Sequence, residues 1–173
     1  MSGLVYCQYQ MDLILLSEDG FFACLAAIGF GSISNPPRAL LPWCGLVGAT
    51  GHMTRTALMQ CPLHLHICLA GLAAGCVIGC LSLMLAHRHH CPSEIFSFPA
   101  LLPMIPGMYA YGTVQALICY LSMHAQQLDA SHYLDLCFYN GMMTLLIILL
   151  LVVGALLPKL FVKKKSLYTA IRN

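Results

Sequence analysis

The stretch FPALLPMIPG, residues 98–107, decides the fold because it places three prolines and a glycine inside a long apolar segment. A proline inside a helix removes a backbone donor and clashes with the preceding turn, at a cost of about 3 kcal/mol. In lipid, the carbonyl groups freed in this way need partners inside the protein or in a wet cavity. The stretch therefore predicts an interrupted membrane helix, unwound between Pro99 and Gly107.

The composition of the chain is typical of a polytopic membrane protein. Apolar residues make up 60% of the sequence and charged residues 8%, and the mean hydropathy is +0.81. About 20 helical residues cross a bilayer core, and five stretches have that length, at residues 13–33, 39–59, 65–86, 95–121 and 140–161. We therefore predict an all-α integral membrane protein in which residues 1–173 form a single five-span transmembrane domain. Its fourth helix is expected to be broken between Pro103 and Gly107.

The basic residues fall on one side of these spans. Arg38 follows span one and Arg88 follows span three. The connections on the other side contain no Lys or Arg, and the one before span five contains Asp129. Because basic connections stay in the cytoplasm, the N-terminus is predicted to be exterior and the C-terminus cytoplasmic. Further basic residues lie at or beyond the end of span five: Lys159, Lys163, Lys164, Lys165 and Arg172.

Span three carries a stripe of glycines, and span two carries a polar face. Gly71, Gly75 and Gly79 recur every four residues, a spacing that lets another helix backbone approach closely. We interpret this stripe as a packing surface for a helix of this chain or of another. On span two, Gly48, His52, Arg55 and Thr56 fall on one helical face together with Gly45.

Arg55 and Asp19 are charged residues placed inside predicted spans. Arg55 either reaches the outer headgroups or forms a structural ion pair, or else it faces a cavity and contacts an anionic substrate. Asp19 lies in span one at a similar depth, so the two could form an ion pair. Alternatively, the helix begins later and Asp19 stays in water. If the carboxyl is buried, its protonated form is favoured, which makes Asp19 a candidate for proton coupling.

The second half of span four begins at Gly107. The N-terminal amides of such a half-helix favour a carboxylate. Tyr111 and Gln115 lie on one face of this half and offer a hydroxyl and an amide group. The alternative is a kinked structural helix that binds no ligand.

Several stretches share one pattern of residues and spacing: Gly29-Phe30, Asn35-x-Pro37-Arg38-Ala39-Leu40, Trp43-Cys44, Gly48-x-x-Gly51-His52-x-x-Arg55, and Leu102-Pro103-Met104-Ile105-Pro106-Gly107 with Tyr111. Together they resemble the threonine/serine exporter family, in particular its short split-type members. An acidic residue ten positions before Gly29, here Asp19, also fits the family pattern. The resemblance implies an inner-membrane secondary exporter of small carboxylates, such as succinate or threonine and serine. It also implies a larger membrane subunit as partner, with this chain as half of a two-component exporter.

The predicted substrate-binding residues come from spans two and four, and higher oligomers are possible. The competing hypothesis is a structural or assembly subunit that uses the glycine stripe to dock a membrane partner. The sequence has no Gly-Lys-Ser/Thr phosphate-binding motif, which argues against a motor or a dehydrogenase. We expect no enzyme activity, cofactor or nucleic-acid partner. No metal is expected either, because the histidine clusters at His64 and at His87 lack a recognised ligand spacing. The predicted substrate contacts are Gly48, His52, Arg55, Pro103, Pro106, Gly107, Tyr111 and Gln115.

Overall fold

A computed structural model gives the fold of the chain. It describes the backbone of residues 2–60, 65–125 and 130–172, and the side chains of residues 14–60, 65–124 and 130–162. Some residues used in the predictions above lie outside the described side chains, namely His64, Asp129, Lys163, Lys164, Lys165 and Arg172.

The described residues form helices and their connections, without a β-strand. Short 3-10 turns at Arg38–Leu40 and Leu102–Met104 precede the second helix and follow the fourth. The prediction of an all-α protein is confirmed. The helices are α1 (Ser2–Ile33), α2 (Leu41–Gln60), α3 (Ile67–His89), α4 (Glu94–Leu101), α5 (Gly107–Ala125) and α6 (Ser131–Arg172).

Among the described residues, three helical segments are long and apolar enough to cross a bilayer. They are Ile14–Ile33, Ile67–His89 and Ser131–Val162, and they correspond to the first, third and fifth predicted spans. α2 is less apolar because it carries His52 and Arg55, and the fourth predicted span is divided between the shorter helices α4 and α5. The count of five spans therefore stays a prediction.

The chain forms two compact units, which we describe separately. The first comprises Met1–Met104 and Leu150–Asn173, and the second comprises Ile105–Leu149.

α2 is the central helix of the first unit, where it packs against α1, α3 and α4. Its buried Cys44 joins Ile78 of α3 and Phe96 of α4 in one apolar core. Close approach to α1 requires a glycine, because a Cβ added at Gly48 would lie only 2.6 Å from the Cβ of Ala27. α2 is thus fixed on three sides, which positions its polar face.

Glycines bring α3 and α6 into backbone contact. A Cβ added at Gly75 or Gly79 would collide with backbone carbonyl oxygens of α6, and one added at Gly154 would collide with the backbone of α3. By contrast, no atom of the described residues lies within 4 Å of a Cβ added at Gly71. The neighbour of Gly75 and Gly79 is therefore a helix of the same chain.

Pro99 lies inside α4, so the prediction that unwinding begins at Pro99 is wrong. In a regular helix the amide of residue 99 donates to the carbonyl of Ile95, and a proline has no such amide. The Sγ of Cys44 lies 3.4 Å from this carbonyl oxygen and donates to it. A thiol from α2 thus replaces the missing donor, and α4 continues to Leu101.

A double-mutant cycle tests this replacement. We expect Cys44→Ala to lower the free energy of unfolding in mixed micelles by about 1 kcal/mol or more, because the Ile95 carbonyl loses its donor. In a Pro99→Ala background the new amide donates to Ile95, so Cys44→Ala should cost less there. Cys44→Ser keeps a donor and is the control. Equal costs in both backgrounds would show that the thiol does not replace the amide.

The helical path is interrupted between α4 and α5. After α4 ends, the 3-10 turn Leu102–Met104 tightens the backbone, and α5 begins at Gly107. The amide of Gly107 donates to the carbonyl of Ile105 at 2.8 Å, which closes a tight turn around Pro106. The interruption predicted between Pro103 and Gly107 is present.

The second unit pairs α5 with the first part of α6. A Cβ added at Gly112 would lie 2.9 Å from the side-chain amide nitrogen, Nδ2, of Asn140, so the two helices meet closely at this point. Tyr111 and Gln115 are exposed one helical turn apart on α5. Both polar groups are therefore available at the start of this helix.

Three regions used for the orientation prediction lie at one end of the first unit. The ring of Trp43, near the start of α2, lies 5.8 Å from that of His89 at the end of α3. The Nζ of Lys159 donates to Oε1 of Glu94, the first residue of α4, at 2.8 Å. This hydrogen bond lowers the pKa of the Glu94 carboxyl. The arrangement is compatible with one basic cytoplasmic end, while the orientation itself stays a prediction.

Candidate functional site

α2 presents three polar side chains toward one cavity. Arg55 follows His52 by three residues and Thr56 follows it by four, which places all three on one side of the helix. All three are half-buried. A charged group in this position needs partners, and the neighbouring elements supply them.

The guanidinium of Arg55 is held at the helix interruption. Its Nη1 donates to the carbonyl of Met104 at 3.1 Å, and its Nη2 lies 3.0 Å from Nε2 of His52. Met104 ends the 3-10 turn, where backbone carbonyls leave the regular helical pattern of hydrogen bonds. Arg55 therefore ties the polar face of α2 to the end of the turn that follows α4.

Asp19 of α1 contacts the same face of α2. Thr56 Oγ1 donates to Asp19 Oδ2 at 3.0 Å, and His52 Nδ1 lies 3.9 Å from that oxygen. Within the described part of the chain, Arg55 forms no ion pair with a carboxylate, so the direct Asp19–Arg55 pair considered above is not formed. His52 lies between the two charges instead.

The contacts of His52 assign its tautomer. An arginine side chain only donates hydrogen bonds, so Nε2 of His52 must accept from Arg55. The proton of the neutral ring is then on Nδ1, which faces Asp19 Oδ2. This Nδ1 is buried and has no hydrogen-bond partner within 3.5 Å among the described residues. The ring is thus polarised between a cation and a carboxylate.

These groups line a cavity of about 420 Å³ in the first unit. The Asp19 side chain is 40% exposed, so its carboxylate remains accessible, whereas that of His52 is 16% exposed. The cavity has one permanent cation, one carboxylate, one imidazole and one hydroxyl on its wall. Such a set of donors and acceptors fits a small polar anion better than an apolar ligand. The lining residues are Asp19, His52, Arg55, Thr56, Met59, Gln60 and Ile67.

The remaining predicted contacts lie elsewhere. Gly48 packs against α1 and does not line the cavity. Pro103 is half-buried in the 3-10 turn. Four further predicted residues belong to the second unit, where Pro106 is buried and the other three are exposed: Gly107, Tyr111 and Gln115.

Several groups of the site are absent from the predicted set: the Met104 carbonyl and the side chains of Thr56, Met59, Gln60 and Ile67. Thr56 was placed on the polar face of α2 but not among the ligand contacts, although its spacing of four residues from His52 is the signal that includes it. The Met104 carbonyl has no side-chain signal. The sequence places it only by position, two residues before Pro106 in the predicted interruption.

A second cavity of about 700 Å³ lies beside the link between α3 and α4. His87, His90, Cys91 and Glu94 are among its lining residues. Nevertheless, no group of three or more His, Cys, Asp and Glu side chains in the described part of the chain is arranged to hold a metal ion.

One similar protein is an uncharacterized protein of Haemophilus influenzae, strain Rd. It is 35% identical over 120 residues, which cover 69% of this chain and 39% of that protein. The chain therefore spans about two fifths of the length of that curated relative. No solved structure matches the chain.

A family model provides the assignment. The model described as threonine/serine exporter, ThrE, matches residues 19–161, which include Asp19, the polar face of α2 and the interruption before α5. The match covers most of the chain and begins at the carboxylate that contacts Thr56. This chain belongs to the threonine/serine exporter family of membrane transporters.

Proposed function

We propose that the chain is the membrane subunit of a secondary exporter of small carboxylates, acting with a larger partner subunit. The substrate class is a dicarboxylate such as succinate, or threonine and serine. All of these present a carboxylate, which is the group that an arginine binds through paired hydrogen bonds. The location proposed is the bacterial inner membrane, with an exterior N-terminus and a cytoplasmic C-terminus.

The observation that carries the proposal is the anchoring of Arg55. A guanidinium has five N–H donors, and the contacts to Met104 and His52 leave some of them free for an anion. Both anchoring contacts also fix the orientation of the planar group toward the cavity. An anchored cation in a half-buried cavity is favourable for an anion that loses part of its hydration.

The partner subunit is supported by two observations. The match covers 39% of the Haemophilus influenzae relative, and we propose that a larger subunit supplies the counterpart of the unmatched region. α1 also exposes large apolar side chains, such as Phe21 at 60% and Phe22 at 65%, that lipid or a membrane protein would cover. We propose that Pro103, Pro106, Gly107, Tyr111 and Gln115 also contribute substrate contacts in the assembled transporter.

The alternative of a structural or assembly subunit depended on the glycine stripe of span three. Gly75 and Gly79 lie against α6 of the same chain, so these two positions are not free to dock another protein. The polar cavity, moreover, has no role in a purely structural subunit. We therefore favour the transporter.

Export assays with each subunit alone and with both test the proposal. Cells that express this chain together with its larger partner are expected to release labelled succinate, or labelled threonine, faster than cells that express either chain alone. The amount of protein in the membrane is measured in each strain by quantitative immunoblotting. Equal efflux in all strains for both labelled substrates would overturn the proposal and favour the structural subunit.

A further inference from the structure

The two ring nitrogens of His52 have different neighbours, and this difference has a chemical consequence. Nε2 accepts a hydrogen bond from Arg55, while the buried Nδ1 faces Asp19 at 3.9 Å. A proton on Nε2 would point directly at the guanidinium of Arg55. Protonation of Nε2 and the hydrogen bond from Arg55 therefore exclude one another.

We propose that His52 is the proton site of the exporter, and that proton uptake at Nε2 and carboxylate binding at Arg55 promote each other. This inference rests on the proposed function of Arg55 as the substrate ligand. In the proton-free state, Arg55 Nη2 is engaged by His52. A proton taken from water at Nε2 gives the imidazolium, whose Nδ1–H is unchanged. Loss of the Nε2 proton to water restores the neutral tautomer and its bond to Arg55.

Protonation changes two donors at once. Arg55 Nη2 is released from His52, while the Met104 carbonyl still holds Nη1. The new Nε2–H of the imidazolium becomes a second charged donor beside the guanidinium. A carboxylate placed between these two groups accepts hydrogen bonds from both, and such charge-assisted bonds are among the strong ones.

The charge balance of the cavity favours the same direction. Of the described side chains that line it, the ones that ionise are Asp19, His52 and Arg55. α1 contributes the carboxylate, α2 the guanidinium and the imidazole, and α3 the apolar Ile67. One cation and one carboxylate cancel when His52 is neutral. An entering succinate dianion leaves an excess negative charge, which a proton on His52 reduces.

Binding measurements test the linkage on the complex of both subunits in lipid nanodiscs. The probe is succinate, with threonine as a second probe. Binding is measured at pH 6.5 and pH 8.5, because carboxyl groups like those of Asp and Glu are ionised at both values. We expect binding to be on the order of 10-fold tighter at pH 6.5, as is typical of coupled sites. In His52→Gln, whose amide oxygen still accepts from Arg55 but takes up no proton, this ratio should fall toward one.

His89→Gln is the matched control. His89 is a histidine of α3 that also has a buried nitrogen without a hydrogen-bond partner among the described residues, and it lies outside the cavity. This variant is expected to keep the pH ratio of the parent. If His52→Gln keeps the parent ratio as well, the proton site is elsewhere and the inference is wrong.

A spectroscopic test separates this inference from the proposed substrate. Nitrogen-15 NMR of histidine-labelled complex in bilayers reports which ring nitrogen carries the proton, and the His52 signals are identified by their loss in His52→Gln. At pH 8.5 we expect the proton on Nδ1, with a shift of population toward Nε2 in Arg55→Lys. A proton on Nε2 in the parent overturns the inference even if transport is intact. If NMR shows the expected tautomer but neither probe binds, the proposed substrates and their linkage to the proton are wrong. The mutual exclusion of the Nε2 proton and the hydrogen bond from Arg55 then still stands.

Discussion

Gly79→Ala is expected to destabilise the protein by about 2–3 kcal/mol, although alanine is the better helix former. The added Cβ would lie 2.5 Å from the carbonyl oxygen of Ala155 and 3.1 Å from Cγ of Pro158. The first of these atoms belongs to the backbone of α6, so it cannot move aside by a change of rotamer. The two helices would have to separate, and the packing around them would be lost.

Gly71→Ala is the matched control on the same helix. Within the described part of the chain no atom lies within 4 Å of a Cβ at this position, so the substitution gains helix propensity of about 0.5–1 kcal/mol without a collision. Both variants are compared by unfolding in mixed micelles, followed by far-ultraviolet circular dichroism. Similar stabilities for the two alanine variants would contradict the close contact of α3 with α6.

The glycine pair also shows what a single sequence can predict about packing. The spacing of Gly71, Gly75 and Gly79 indicates a surface for close helix approach, because the helical period is a local property. The identity of the neighbour is not local. α6 begins more than forty residues after α3 ends, and only the folded chain reveals that Gly154 faces the same crossing.

The proline-rich stretch likewise has one feature that its own sequence predicts and one that depends on another helix. The interruption before Gly107 is predictable because Pro103 and Pro106 act on their own segment. The continuation of α4 through Pro99 is not predictable from that segment, since it depends on a thiol of α2. The break therefore begins later in the structure than propensity predicts, because another helix supplies the missing donor.

For the candidate site, the helical period placed His52 and Arg55 together on α2, and both line the cavity. The same pattern assigned Gly48 to the site, whereas that glycine packs against α1. A helical face does not distinguish a ligand contact from a close crossing, because glycine serves both. Similarly, depth alone suggested an Asp19–Arg55 pair, but side-chain reach places His52 between them.

Arg55→Leu is expected to reduce carboxylate export by at least about 10-fold, because a substrate interaction of 1.4 kcal/mol already corresponds to that factor. The leucine is shorter and has no charge and no donors, so it can neither bind the anion nor satisfy the Met104 carbonyl. The unpaired carbonyl lowers stability by about 1–3 kcal/mol as well. Export is therefore measured as initial efflux of labelled substrate per amount of folded complex in the membrane.

Two further substitutions test whether export requires a positive charge alone or the planar guanidinium of Arg55. Arg55→Lys keeps the positive charge, but one ammonium cannot reproduce the planar contacts to Met104 and His52, so we expect export between those of the parent and Arg55→Leu. Arg88→Gln removes an exposed arginine at the end of α3, outside the cavity, and should leave efflux near the parent level. A general requirement for positive charge predicts reduced export in Arg88→Gln as well. A requirement for the anchored guanidinium predicts reduced export only in the Arg55 variants. If Arg55→Leu and Arg88→Gln export equally well, Arg55 is a structural cation and the cavity beside Asp19 is not the substrate site.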